Sequence, residues 1–283
     1  MTLGFIGLGT LGRTIAARLS ADNRPLIVWN RTEERADGLA AAIAANPADL
    51  IHEADTVLIC LRDSEAVEAV LHGRDGLLAS RIAGKLIVDT TTHHPARVGA
   101  VHDAFREAAA HYLEAPVLGH VQAAAQGTLT VLASGERAVF DRALPLLETI
   151  GRDVFYLGEP GTASRVKLVN DMVAGSFLAT IAEALLLGER CGLSRERMLQ
   201  ILAGGAGNST LLALKWDKLA GDDYAPQLSA SVLTENLDAL EDMAREWGRP
   251  LIMGTPVREM YHRVVDRGQG ELDIAVVYEA LAE

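Results

Sequence analysis

Residues 3–12, Leu-Gly-Phe-Ile-Gly-Leu-Gly-Thr-Leu-Gly, limit what this chain can fold into more than any other stretch. A short apolar run, suited to a buried strand, enters a Gly-x-Gly-x-x-Gly turn, and an apolar helical pattern follows over roughly 10–21. A second apolar run, 25–29, ends in Asn30-Arg31-Thr32. That order reads as a βαβ unit. Its glycine turn lies at a helix N-terminus, where unpaired backbone N–H groups and the helix dipole attract a dinucleotide pyrophosphate. The glycines have separate tasks: Gly7 makes the tight turn, Gly9 lets backbone approach the phosphates, and Gly12 lets helix pack on sheet. Gly7, Leu8, Gly9, Thr10, Leu11 and Gly12 are therefore the candidate pyrophosphate-binding residues.

The residue closing the second strand selects the cofactor. A carboxylate there would accept from a ribose 2′-hydroxyl and repel a 2′-phosphate. Here Asn30, Arg31 and Thr32 offer a guanidinium between two short polar groups, which suits a dianionic phosphate. A cation at a helix start is mildly unfavourable unless an anion compensates it. NADP(H) is accordingly expected rather than NAD(H). Ligands of open α/β sheets bind beyond the C-terminal ends of the strands. That places Leu61 and Arg62 after a third strand, and Thr91 after a fourth, against the same cofactor.

The continuous run Thr56–Leu61 resembles a parallel strand covered on both faces, and 85–89 is another. Thr32 to about 45 is expected to be helical with Thr32 as N-cap, as are 63–71 and the segment opened by Pro95. Strands are expected again at 111–114, 128–133 and 153–157, with a helix over 136–149, so the sheet is expected to continue past one mononucleotide-binding half. Gly158-Glu159-Pro160-Gly161 marks a boundary. Beyond it a single helix of some 30 residues runs from Thr162 to about Cys191, followed by helical patterns near 195–203, 228–247, 250–267 and from 271. The fold class is α/β: a dinucleotide-binding domain over 1–160 followed by an all-helical domain over 161–283, linked by a long helix.

A length of 283 residues can bury a substantial core. The net charge of −12 disfavours a nucleic-acid backbone as partner. Cys60 and Cys191 both sit in apolar patterns and are expected to be buried free thiols of a reducing compartment. The first strand begins within two residues of the N-terminus, and no uninterrupted apolar run approaches the length of a membrane span. A cytoplasmic protein without a membrane partner is expected.

The second informative stretch is Gly161–Asp171. On a helix, Lys167, Asn170 and Asp171 share a face, just beyond the boundary where two domains would meet. Reduction of a carbonyl by hydride needs a donor for the developing alkoxide, and a lysine ammonium supplies both hydrogen bond and proton. A surface Lys–Asp pair would show the same spacing.

Several segments together resemble the β-hydroxyacid dehydrogenase family, which includes 3-hydroxyisobutyrate dehydrogenases and glyoxylate/succinic semialdehyde reductases, with imine reductases as relatives. They are Gly7–Gly12, Trp29–Thr32, Asp89–Thr92 with Pro95, Glu114–Val117 with Gly127–Leu129, and Gly161–Asp171. The resemblance spans nearly the whole chain. It implies a Rossmann-like domain joined by a long helix to a helical domain, paired as a homodimer or higher homo-oligomer. It also implies that Lys167 is the catalytic acid, and that Thr91 and Thr92 lie near nicotinamide and substrate.

The chain departs from the family pattern at three substrate-facing positions. Leu118, followed by Gly119 and His120, replaces a serine; Asp171 replaces the second of two asparagines; Glu235 replaces a lysine. Each change removes a donor or a positive charge that would hold a substrate carboxylate, whose unpaired burial is costly. Backbone N–H groups near Gly119–Val121 or His120 remain available to an anion. The expected activity is NADP(H)-dependent interconversion of a small aldehyde or ketone with its hydroxy compound. Imine reduction and non-catalytic dinucleotide binding are the alternatives. No metal is expected from His93, His94 or His120. Lys215 and Lys218 are expected to be solvated, and Trp216 and Trp247 to be core or interface aromatics.

Overall fold

The structure, a computed structural model, describes residues 2–21, 25–221 and 223–282. The chain divides into two compact units, Met1–Lys167 and Leu168–Glu283. In the first, β1 (Leu3–Ile6), α1 (Thr10–Ala21), β2 (Leu26–Trp29), β3 (Ala42–Ile43), α2 (Pro47–Glu53) and β4 (Thr56–Ile59) are followed by α3 (Ser64–His72), β5 (Leu86–Asp89), α4 (Pro95–Glu107) and β6 (His111–Glu114). Their strands form a parallel sheet in the order β3-β2-β1-β4-β5-β6.

Alternation along the strands builds a core on each face. Phe5, Val28, Leu58 and Val88 join one cluster, whereas Ile6, Ile27, Ile59 and Ile87 join the other. Every residue of β1, β4 and β5 is buried, as parallel strands covered by helices on both sides require. Local chemistry starts the helices: Asn46 caps α2 ahead of Pro47, and Asp63 accepts the Ala66 N–H at 2.8 Å to open α3.

Two sequence expectations fail in this unit. Residues 32–45 do not form a helix. A single 3-10 turn over Glu33–Ala36, with Thr32 before it making no side-chain cap, leads instead to the edge strand β3. The cause lies on α1, whose side chains capture carbonyls that a helix would need. The Arg13 guanidinium binds the carbonyls of Arg35 and, at 2.6 Å, Asp37, while Ser20 Oγ donates to the Ala40 carbonyl at 2.8 Å. The sheet does continue past one mononucleotide-binding half, through β5 and β6, but the strands expected at 128–133 and 153–157 are not part of it. Pro116 has no N–H to extend a ladder. Thus β7 (Val117–Leu118), β8 (Leu129–Ala133) and β9 (Gly151–Tyr156) form a separate sheet, with α5 (Val121–Gln126) and α6 (Arg137–Ile150) between its strands. A lone bridge between Glu114 and Ser134 joins the end of β6 to the end of β8.

The helix α7 (Thr162–Arg190) opens in the first unit and continues into the second. Among the described residues it is the one helix long and apolar enough to cross a membrane, and 44% of that stretch is buried within the structure. The second unit adds α8 (Arg195–Gly204), α9 (Thr210–Ala220), α10 (Ala230–Glu246), α11 (Gly254–Asp266) and α12 (Val277–Ala282). Ser194, Ser209 and Ser229 cap α8, α9 and α10.

Lys215 is not solvated: it is buried in the second unit, with Nζ 2.8 Å from both Asp273 carboxylate oxygens and 3.0 Å from Gln227 Oε1. Asp273 also accepts the Gln227 and Ala275 N–H groups, so the buried charge pair fixes the C-terminal turn. Trp216 packs against the helical core, while Trp247 is 57% exposed at the end of α10. Both cysteines are free thiols, but Cys191 is exposed, because α7 ends before it and Gly192 turns the chain away. Cys60 is half-buried, and burial foremost raises its pKa to about 11.

Candidate functional site

Because β2, β1, β4 and β5 are parallel neighbours, the segments that leave their C-terminal ends share one edge of the sheet. Those segments are the glycine turn, Asn30–Thr32, Leu61–Arg62 and Thr91–Thr92. Hydrogen bonds tie them in pairs. Gly7 N–H donates to the Trp29 carbonyl at 3.0 Å, Leu8 N–H to Asn30 Oδ1 at 2.8 Å, and Leu61 N–H to Thr91 Oγ1 at 3.1 Å. Asn30 Nδ2 in turn donates to the Thr32 carbonyl at 2.8 Å. Asn30 therefore braces the glycine turn against β2, a role its position at the strand end did not disclose.

The three glycines differ in what surrounds them. Gly7 has φ +99°, and a Cβ there would run into the Cys60 carbonyl. A Cβ on Gly12 would strike the carbonyl of Gly7. A Cβ on Gly9 would meet nothing nearer than Arg35 Nη1 at 4.0 Å. Protein atoms thus close on the first and third glycines, and space is left at the middle one, where a pyrophosphate needs to approach. This fits a bound dinucleotide. Leu8 is buried, so it contributes main chain to the turn; Leu11 is half-buried against the core, and Thr10 is exposed. Arg31, Thr32 and Arg62 are exposed, and Arg62 lies 3.7 Å from Asp63.

Behind Thr91 and Thr92 lies a buried polar cluster. Asp89 Oδ2 is 2.8 Å from His93 Nε2 and accepts the Tyr112 hydroxyl at 3.0 Å, while its Oδ1 accepts the Thr91 N–H at 2.9 Å. Ser64 Oγ is 3.3 Å from His93 Nδ1 and accepts the His94 N–H at 3.0 Å. Burial disfavours a charged His93. The adjacent Asp89, its hydrogen bond, and the more distant Glu114 and Glu68 outweigh that, so the pKa rises above 6.5. A raised histidine pKa stabilises the fold below its unfolded value, and this support is lost as pH climbs through the folded value. The urea midpoint is therefore expected to decline as pH rises above about 6.5 and through the raised folded-state value. In a His93→Gln variant, which has nothing to titrate there, that decline should disappear; an unchanged decline would contradict the assignment.

Lys167 is half-buried on the second turn of α7, with Asn170 exposed and Asp171 buried one turn later on the same helix. In the second unit, Asp171 Oδ2 accepts from Asn236 Nδ2 at 2.9 Å, and the neighbouring Glu235 is exposed. Leu118 belongs to the second sheet, and Gly119 and His120 connect it to α5. Leu118 ends β7 opposite Thr130, Gly119 has φ +131°, and His120 precedes α5 without a side-chain cap. Among the described residues, no group of three His, Cys, Asp or Glu side chains is placed to hold a metal ion.

Sequence reasoning passed over Glu114, Ser134, Ser164 and Asn236. Glu114 and Ser164 stood inside motifs already singled out, but their partners are 20 to 50 residues away in sequence, and no local periodicity announces them.

A parallel sheet with a glycine turn between β1 and α1, followed by a lysine-bearing helix and a helical unit, defines a dinucleotide-binding protein of the Rossmann type. Residues 2–158 match the family described as the NAD binding domain of 6-phosphogluconate dehydrogenase, and 161–281 the one described as NAD-binding of NADP-dependent 3-hydroxyisobutyrate dehydrogenase. The chain belongs to the β-hydroxyacid dehydrogenase family.

It is similar to a solved structure of Psf3 in complex with NADP+ and 2-OPP, at 30% identity over 99% of each chain and a TM-score of 0.90. The cytokine-like nuclear factor N-PAC of Xenopus tropicalis is 31% identical over 98% of this chain but 53% of that protein. The chain thus spans about half the length of the N-PAC proteins it matches. The chloroplastic glyoxylate/succinic semialdehyde reductase 2 of Arabidopsis thaliana is 28% identical over 99% of this chain and 79% of that one.

Proposed function

We propose that the chain is an NADP(H)-dependent oxidoreductase that interconverts a small aldehyde or ketone, of the semialdehyde type, with the corresponding hydroxy compound. The observation that carries this reading is that α7, one turn before Lys167, is bonded to the turn after β5. His93 N–H donates to Ser164 Oγ at 3.3 Å. The strand edge suited to a dinucleotide and the helix carrying a proton donor are therefore parts of one hydrogen-bonded assembly.

The main chain of Gly7–Gly12 would hold the pyrophosphate, and Arg31 with Thr32 the 2′-phosphate, with Leu61, Arg62 and Thr91 along the same edge. When bound, the nicotinamide supplies or accepts hydride. Lys167 Nζ donates to the substrate oxygen as it gains negative charge and passes its proton there; in the reverse direction the amine takes the proton back. Thr92, Leu118, Gly119, His120, Asn170, Asp171 and Glu235 are the candidate substrate-binding residues. Leu118 and Glu235 supply no donor to a substrate carboxylate, which favours substrates of lower negative charge. The names of the plant reductase and of the NADP+-bound relative support this class of chemistry.

Turnover of NADPH with succinic semialdehyde, glyoxylate, methylglyoxal, a neutral aldehyde and a cyclic imine tests the reading. Consumption with the carbonyl compounds is expected. Consumption with the imine alone, or binding of NADPH with no turnover of any compound, would replace it with imine reduction or with a non-catalytic dinucleotide-binding role. In the same assay, Arg31→Ala should raise KM for NADPH by about tenfold and leave KM for NADH within about twofold, since only NADPH carries the phosphate the guanidinium pairs with. Equal losses for both cofactors would remove Arg31 from the 2′-phosphate site.

A further inference from the structure

The four N–H groups that open α7 are all accounted for, and three of them end on side chains far away in sequence. Gly161 N–H donates to Glu114 Oε2 at 2.7 Å, and Ser164 N–H donates to Glu114 Oε1. Ala163 N–H donates to Ser134 Oγ at 3.1 Å, and the Ser134 hydroxyl donates to Glu114 Oε2 at 3.0 Å. Thr162 N–H goes to the Glu159 carbonyl at 3.2 Å. An ordinary N-cap comes from the residue just before the helix and satisfies one or two of these donors. Here a fully buried carboxylate at the end of β6 takes two of them, across 47 and 50 residues of chain.

A cap of that kind does more than start a helix. By grasping N–H groups three residues apart, it fixes both the rotation of α7 about its axis and its advance along that axis relative to the sheet. Ser164 extends the same connection to the turn carrying Thr91 and Thr92, by accepting the His93 N–H. His102 lies 3.6 Å from Glu114 Oε2 and faces the same carboxylate. Although burial opposes ionisation, the neighbouring His102 and the hydrogen bonds from Ser164 and Gly161 lower the Glu114 pKa, which keeps the group charged at neutral pH. Lys167 follows Ser164 by three residues, so its Cα is placed by this first turn.

We propose that Glu114, with Ser134, is a positioning residue that sets where Lys167 stands relative to the Thr91–Thr92 turn. It touches none of the reacting atoms and acts through the first turn of α7. The inference rests on Lys167 being the acid proposed above. It predicts that loss of the carboxylate costs chemistry rather than cofactor binding, because the glycine turn after β1, with β4 and β5 between it and β6 in the sheet, shares none of these bonds.

The test compares Glu114→Gln, Glu114→Asp, Ser134→Ala and Ser164→Ala with the parent and with Lys167→Ala, all as the full chain. Glutamine presents one acceptor oxygen and one NH2 group, so one helix N–H is left facing a donor. Glu114→Gln is expected to lower kcat by about ten- to fiftyfold, with the Kd for NADPH within about twofold. The pH profile of kcat should move as well, since the surroundings of the lysine change. Ser134→Ala should lower kcat by about three- to tenfold, and Glu114→Asp should recover part of the loss seen with glutamine.

Folded variants with kcat within about twofold of the parent would overturn the proposal, as would losses of kcat matched by equal losses of NADPH affinity, the mark of a general structural defect. If Glu114→Gln does not fold, Ser134→Ala and Ser164→Ala decide the matter by the same readings. Turnover retained in Lys167→Ala would instead defeat the assignment of the acid itself, whereas an inactive Lys167→Ala beside unaffected Glu114 and Ser134 variants would defeat the positioning role alone.

Discussion

Replacement of Lys167 by alanine is expected to lower kcat by about a thousandfold, with the Kd for NADPH changed by less than about twofold. The expectation combines two losses. The developing alkoxide loses its charged donor, and the proton must come from water that is neither positioned nor acidic enough at neutral pH. Cofactor affinity should be spared because the proposed pyrophosphate site, the main chain of the Gly7–Gly12 turn, lies on different elements from α7. Steady-state kinetics together with quenching of NADPH fluorescence separates the two quantities. A drop smaller than about tenfold would remove Lys167 from the chemistry, and a parallel loss of NADPH affinity would give it a binding role instead.

The second large effect separates two glycines that look alike in sequence. Gly7→Ala combines a positive φ with a Cβ aimed at the Cys60 carbonyl, neither of which an L-residue accommodates without backbone movement. A loss of roughly 3 kcal/mol in unfolding free energy is expected, read as a lower urea midpoint. Gly9→Ala has no positive φ and meets no protein atom within 4.0 Å except the end of the Arg35 side chain. Its stability should stay within about 0.5 kcal/mol of the parent. Its Kd for NADPH should nevertheless rise by at least about thirtyfold, since the new methyl occupies the approach of the phosphates. If the two variants behaved alike in both measurements, the division of labour within the turn would be wrong.

How much of this was legible beforehand depended on how local the cause was. The strand, turn and helix at residues 3–21, the strand Thr56–Ile59 and the long α7 announce themselves through runs and periods within their own residues, and the structure contains each of them. The family likeness rested on similarly local motifs. The failures share a different origin. Residues 32–45 carry a helical composition, but side chains of α1 decide their conformation by binding the carbonyls of Arg35, Asp37 and Ala40. Lys215 looked like a surface residue because its partner, Asp273, lies 58 positions further on. Among the candidate site residues, the glycines were readable from spacing, whereas the spacing of Lys167 suited a surface ion pair equally well and its candidacy came from the family resemblance. The brace supplied by Asn30 and the engagement of Asp171 by Asn236 depend on how strands and helices are placed side by side.

The long-range socket beneath α7 also bears on how members of this family can be recombined. The glycine-rich stretch at 158–161 invites a crossover, as if everything after it were a portable module. A hybrid joined there would take α7 from one parent and the socket at 114 and 134 from another, and the mismatch would fall on the first turn of the helix that carries Lys167. Crossovers made before residue 111 carry socket and helix together, and so keep as a single inheritance what the primary structure scatters.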